Sequence, residues 1–174
     1  MKILITYSSK TGNTKKVAEA IKSQLPQADI FPVSEMQSME KIGNYDLIFI
    51  GGWIDRGTFN AEAIKTIEFI KNKKTAYFFT LGAYPDSKHA EDCVNNIDAL
   101  LEKNLNEIVG RYFCQGAIDP KLIEYLSKLP QGHIMSPNEE RKKRWEDAAS
   151  HPDINDLENA KKFAEDIIKN YLNN

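Results

Sequence analysis

Six residues, Ser9-Lys10-Thr11-Gly12-Asn13-Thr14, stand between a short apolar run, Ile3–Tyr7, and a stretch with helical spacing. A strand, a hydroxyl-rich turn and a helix start in that order leave unpaired backbone N–H groups facing outward with partial positive charge. An anion bound there satisfies both. Gly12 lets the backbone come close without a Cβ. The hydroxyls of Ser9, Thr11 and Thr14 can donate to phosphate oxygens, so no cationic side chain is required. The pattern is neither the P-loop, GxxxxGK followed by Ser or Thr, nor the dinucleotide fingerprint GxGxxG. One glycine among hydroxyls suits a terminal phosphomonoester better than a pyrophosphate. An ordinary capped helix start is the competing reading, because Ser, Thr and Asn are good caps.

Two further stretches carry residues of the right types. Gly51-Gly52-Trp53-Ile54-Asp55-Arg56-Gly57-Thr58-Phe59 puts a large flat ring beside two glycines. Trp53 could lie on the face of a planar ligand or cover the end of the sheet as a core residue. Asp55 and Arg56 read equally well as a solvated loop. Thr80-Leu81-Gly82-Ala83-Tyr84-Pro85-Asp86-Ser87 offers backbone N–H groups at Thr80 and Gly82 and an aromatic ring at Tyr84. A plain turn made by Gly82 and Pro85 is the alternative there.

The elements that must position these segments follow from periodicity. Asp46–Gly51 and Thr75–Leu81 are almost wholly apolar, and Ile108–Cys114 closes the series. Strands apolar on both faces, separated by helices, indicate a parallel sheet covered on both sides. Val17, Ala18, Ile21 and Leu25 mark one helix; Ala63, Ile64, Ile67 and Ile70 a second; Ala90, Cys93, Val94, Ile97 and Leu101 a third. Asp29–Val33 is a weaker strand whose Pro32 belongs at an edge. The expectation is a doubly wound α/β domain of five parallel strands in the order 2-1-3-4-5. In such a sheet the three candidate loops share the crevice beyond the strands' carboxyl ends. A last helix is predicted from about Asp156 to Leu172, burying Leu157, Ala160, Ala164, Ile167, Ile168 and Tyr171. The chain reads as one domain over 1–174.

Composition narrows the partners. The chain has 174 residues and a formal net charge of −2, which gives no basic field for nucleic acid. No apolar run approaches the roughly 20 residues that span a bilayer, and the N-terminus lacks a signal-peptide pattern, so a cytoplasmic protein is expected. Cys93 and Cys114 show no CxxC spacing and read as small core residues. The three histidines are scattered, with no zinc-type cluster.

The segment Ser9–Thr14 resembles the flavodoxin signature T/S-x-T-G-x-T, placed directly after the first strand. The resemblance covers residues 1–118 and the last helix. It implies a flavodoxin-like fold that holds FMN without a covalent bond and passes electrons to a redox partner protein. The implied cofactor-binding set is Ser9, Lys10, Thr11, Gly12, Asn13 and Thr14 around the phosphate, with Trp53, Ile54, Arg56 and Gly57 on one side of the flavin. Thr80, Leu81, Gly82, Ala83 and Tyr84 complete it on the other. Flavodoxins often have a small residue where Lys10 stands; Lys10 either faces solvent or adds charge near the phosphate. Trp53 would stack on the isoalloxazine and Tyr84 would cover its other face. The Arg56-Gly57 peptide would turn toward flavin N5 on reduction, and backbone N–H groups near Thr80 and Gly82 would face the pyrimidine edge. The two loops also resemble a group of bacterial flavodoxin-like proteins, some encoded beside a flavin-dependent reductase of bile pigments.

Residues 119–155 fall outside that resemblance. They read as two helices, Pro120–Leu129 and one opened by Ser136 as N-cap with Pro137 first and Glu139 completing a capping box. The segment could serve as a lid, a docking surface or a dimer contact. Arg141–Arg144 is a basic run that reads first as a solvated helix face, with Trp145 and Tyr125 as candidate anchors. The alternative function is an FMN-dependent oxidoreductase acting directly on a quinone or tetrapyrrole. A signalling receiver domain of the same topology would need an acidic pair after the first strand and an Asp ending the third. This chain has Ser8-Ser9 and Gly51-Gly52 there.

Overall fold

Alternation along the first strand separates the two sides of the molecule. In β1 (Ile3–Tyr7), Ile3 and Ile5 enter one apolar cluster and Leu4 the other. The computed structural model that shows this describes residues 1–130, 132–133 and 136–172. The remaining strands are β2 (Asp29–Pro32), β3 (Leu47–Asp55), β4 (Thr58–Phe59), β5 (Lys74–Leu81) and β6 (Glu107–Gln115). They pair in the order β2-β1-β3-β5-β6, all parallel, with β4 antiparallel to the end of β3. Counting the five parallel strands alone, this is the expected doubly wound order. β2 pairs only with β1, and Pro32 thus lies on an edge.

Helices α1 (Asn13–Gln24) and α7 (Ile154–Leu172) cover one face. Val17, Ile21, Ala160, Ala164 and Ile167 meet Ile5, Phe49 and Phe78 there. Helices α2 (Met39–Gly43), α3 (Ala61–Ile67) and α4 (Lys88–Glu102) cover the other. Ile42, Ala63, Ile67, Cys93, Ile97 and Leu101 meet Leu4, Ile48, Ile50 and Phe79. Each large side chain buried this way contributes about 1.5–3 kcal/mol before entropy is set against it. α7 lies so close to β6 that a Cβ at Gly110 would sit 2.3 Å from Ile167 Cδ1. The predicted face of α7 is the buried one, and the helix opens two residues earlier than the spacing suggested. Asp153 and Asp156 cap its start reciprocally, each carboxylate accepting the other's N–H at 2.9 and 2.8 Å.

β3 runs past its expected end at Gly51. It continues through Asp55 and folds back on β4, with Ile54 opposite Phe59 and Asp55 opposite Thr58. Arg56 (φ 51°) and Gly57 (φ 83°) form the two-residue turn. Two positive φ values suit the twist of a tight hairpin. The stretch read as a loop is therefore a hairpin extending the sheet.

The added segment contains α5 (Pro120–Ser127) and α6 (Glu139–Ala148). Its positions 131, 134 and 135 lie outside the described residues. Asp119 caps α5 by accepting the Lys121 N–H at 2.9 Å. The expected cap of α6 is corrected. Asn138, not Ser136, is the N-cap, and it accepts the Arg141 N–H at 2.8 Å. Pro137 then precedes the helix, and Glu139 is its first residue, so no capping box forms at Ser136. Trp145 is buried while Tyr125 is 64% exposed. Among the described residues, no helix is long and apolar enough to cross a membrane.

Candidate functional site

The carboxyl ends of β1, β3 and β5 bring the three candidate segments together. The Ser8 N–H donates to the Gly51 carbonyl at 3.0 Å, fastening the end of β1 to β3. The chain then turns into α1 through Gly12, which has φ 92° and is the helix N-cap with no side-chain cap bond. Such a φ is costly for any residue with a Cβ, which explains a glycine here. A Cβ built on Gly12 meets nothing within 4 Å, so the backbone faces open space. Among the described residues, the Gly12, Asn13 and Thr14 N–H groups have no protein acceptor, whereas Lys15 N–H donates to Ser9 Oγ at 3.2 Å and Lys16 N–H to the Gly12 carbonyl at 3.0 Å. Three amides at the positive end of a 12-residue helix thus point toward space an anion could fill.

The side chains of this turn divide their work. Asn13 donates to the Ala117 carbonyl at 2.8 Å and to Thr11 Oγ1 at 3.2 Å. The buried Thr14 hydroxyl shares a 2.9 Å bond with that of Thr80 on β5. Asn13 and Thr14 therefore brace the turn, while Ser9 and Thr11 accept and keep a hydroxyl proton free to donate. Lys10 turns toward the added segment. Its ammonium lies 3.0 Å from Asp119 Oδ2 and 5.7 Å from the Trp53 ring centroid. The Lys10 ammonium, with help from the Lys121 N–H, holds the Asp119 carboxyl below the usual carboxylate range. A cleft of about 490 Å³ opens beside the turn, lined by Lys10, Thr11, Asp119, Lys121, Leu122 and Tyr125.

Trp53 and Ile54 lie on the β3 extension, both half-buried, with Trp53 in register with Thr80. Arg56 is exposed at the tip of the hairpin, and the Gly57 carbonyl accepts from Asn96 Nδ2 of α4 at 2.9 Å. Thr80 and Leu81 end β5 rather than begin a loop. Leu81, with Ile54 and Ala83 beside it, packs into the core on the α3/α4 side, so these residues offer a ligand mainly backbone. Ile118 presses on Gly82: a Cβ there would sit 2.8 Å from its Cγ1. Tyr84 is half-buried and its hydroxyl donates to Asp147 Oδ2 of α6 at 2.7 Å. This bond pushes the phenol up from its ordinary value and holds Asp147 below its own. Sequence reasoning missed three contributors, Asn60, Asp119 and Asp147. None stands in a motif, and each reaches the site only through the tertiary fold.

A doubly wound sheet with a hydroxyl-bearing turn that opens a helix after its first strand defines the flavodoxin-like class. The flavodoxin domain model matches residues 4–165, and the chain belongs to that family. A curated relative, the flavodoxin-like domain-containing protein BilS of Clostridioides difficile, is 34% identical over 97% of this chain and 97% of its own length. Among solved structures, oxidised flavodoxin 2 from Bacillus cereus aligns with a TM-score of 0.62 at 21% identity, covering 98% of this chain and 99% of that one. A Lactobacillus acidophilus flavoprotein in complex with FMN aligns with a TM-score of 0.51 at 22% identity, covering 73% of this chain and 99% of its own.

Proposed function

We propose that the protein binds one FMN without a covalent bond and carries electrons to a partner redox enzyme. The observation that carries this reading is the start of α1. There, three amides without protein acceptors and a left-handed Gly12 face open space, with no side-chain cation committed to it. That donor set fits a phosphate monoester by hydrogen bonding and helix dipole alone. Family membership and the fold shared with an FMN-bound flavoprotein support FMN as its bearer. Ser9 and Thr11 would complete the phosphate shell. The Trp53 hairpin and the Thr80–Tyr84 segment would flank the flavin, Trp53 and Tyr84 by their rings and Gly82 by its backbone.

Bound FMN supplies the electron-accepting chemistry; the protein sets its exposure and potential. Backbone N–H groups at the flavin's edge stabilise charge that builds up there. The rings of Trp53 and Tyr84 would exclude water from its faces, and a near-neutral chain would offer little to offset that charge. The reading needs no catalytic acid or base. The loop resemblance points to a flavin-dependent reductase of bile pigments as the acceptor.

The test is to purify the protein, add FMN and follow the quenching of its fluorescence. The holoprotein is then offered NAD(P)H with and without an added flavodoxin reductase. Reduction only in the presence of the reductase supports a carrier. Steady NAD(P)H oxidation by the protein alone supports a stand-alone oxidoreductase, and no quenching at all sinks the FMN reading.

A further inference from the structure

Asn60 stands at the N-cap of α3, where an Asn side chain ordinarily accepts from the helix's own first amides. Here it makes no cap hydrogen bond. Its polar atoms go to two other segments instead. Nδ2 donates to Ser8 Oγ at 2.9 Å. Oδ1 accepts the Trp53 N–H at 3.4 Å, and the Asn60 N–H donates to the Trp53 carbonyl at 3.0 Å. One residue thus holds the Trp53 main chain on both sides. Ser8 Oγ, having accepted from Asn60, donates in turn to Glu62 Oε2 at 2.9 Å, which fixes the direction of the chain of bonds.

The two residues at the centre of this link sit out of water: Asn60 is 4% exposed and Ser8 5%, while Trp53 is half-buried and Glu62 exposed. Buried side-chain bonds of this kind specify one arrangement because an unpaired partner is costly. Close approach also depends on Gly52, where a Cβ would lie 2.5 Å from the Phe59 ring and 3.1 Å from Asn60 Oδ1. Ser8 directly precedes the proposed phosphate turn, and the Trp53 ring lies 5.7 Å from the ammonium of Lys10 in that turn. A residue that forgoes its local role to join two distant segments marks a place where local and global demands part.

We propose that Asn60 is a positioning residue, which sets the Trp53 indole against the flavin by tying the Trp53 main chain to the residue before the phosphate turn. The inference rests on the FMN reading above. Asn60 acts through the Trp53 main chain that it holds.

The test uses Asn60→Ser, because serine is a competent N-cap for α3 but is too short to reach both Ser8 and Trp53. Ser8→Ala removes the other end of the same link and serves if the first variant fails to fold. The apoprotein is labelled with 5-fluorotryptophan, and Trp145→Phe assigns the two fluorine resonances. In Asn60→Ser the thermal midpoint should fall by only a few degrees, a new serine cap offsetting part of the lost buried bonds. The Trp53 resonance should shift or broaden while that of Trp145 holds. The FMN dissociation constant should rise at least about tenfold, in the range of a lost buried bond, and the midpoint potential should move. A Trp53 resonance unchanged in folded Asn60→Ser apoprotein overturns the proposal whether or not FMN binds. A wild-type protein that binds no FMN overturns the functional reading instead.

Discussion

Replacing Gly12 with Asn and with Asp isolates one charge beside the proposed phosphate. At φ 92°, with nothing within 4 Å of a built Cβ, either side chain fits against the protein. Both bear the left-handed strain of about 1–2 kcal/mol, and Asn and Asp bear it better than most. The strain is common to the pair and cancels when they are compared. The aspartate adds a negative charge next to a group that carries about −1.5 to −2 at neutral pH. Unit charges about 5 Å apart at an effective dielectric of about 20 repel by about 3 kcal/mol. The aspartate should therefore cost about 5–6 kcal/mol of binding relative to asparagine, or roughly 10⁴-fold in affinity. Quenching of FMN fluorescence by the two apoproteins measures the ratio. Raising the salt should narrow it, because the site opens to solvent. If the two variants bind FMN within about tenfold of each other, the charge is not near the phosphate, and the assignment of the α1 start fails.

Gly110→Ala drives a methyl into Ile167 and the Phe163 ring, whose nearest atoms lie 2.3 and 2.9 Å from the built Cβ. Overpacking of this kind costs about 1–3 kcal/mol, and thermal denaturation should show a midpoint lower by about 2–4 °C for each of these. Lys10→Met removes an ion pair with Asp119 that is half in solvent. FMN affinity should fall by less than about tenfold, and carboxyl NMR should show the Asp119 pKa rising toward its ordinary value as the pH is varied. A hundredfold loss would place the Lys10 ammonium on the phosphate. Burial pushes the Cys114 thiol up to about 12 and raises Cys93 as well. Both therefore stay protonated at pH 8, and mass spectrometry should find neither alkylated by a maleimide until the protein is unfolded.

Much of the fold is legible because the sheet is apolar on both faces. Runs such as Thr75–Leu81 admit little else, and Pro32 marks its own edge. The β3 extension was hidden for a physical reason. Gly51 and Gly52 read as the strand's end and the start of a loop, yet both lie within β3, where aromatic rings leave no room for a Cβ. A Cβ at Gly51 would come within 2.2 Å of the Phe78 ring. In a strand interior, glycine records the close approach of a neighbour from any part of the chain. The α6 cap was misplaced because Ser136 and Asn138 are both competent, and only the backbone geometry chooses. At the site, the phosphate turn is local and readable. The partners of Lys10, Tyr84 and Trp53 come from Asp119, Asp147 and Asn60, and such pairings across the fold leave no mark in local spacing.

The added helices leave and rejoin the domain at a single seam. The Ala117 N–H donates to the His151 carbonyl at 2.8 Å, so the excursion that departs after β6 returns beside its own starting point before α7 begins. Bringing two chain ends together costs little more entropy for a long detour than for a short one. The detour's length is thus not fixed by the sheet, although its Asp119 and Asp147 reach back to Lys10 and Tyr84 and so tie its content to the site.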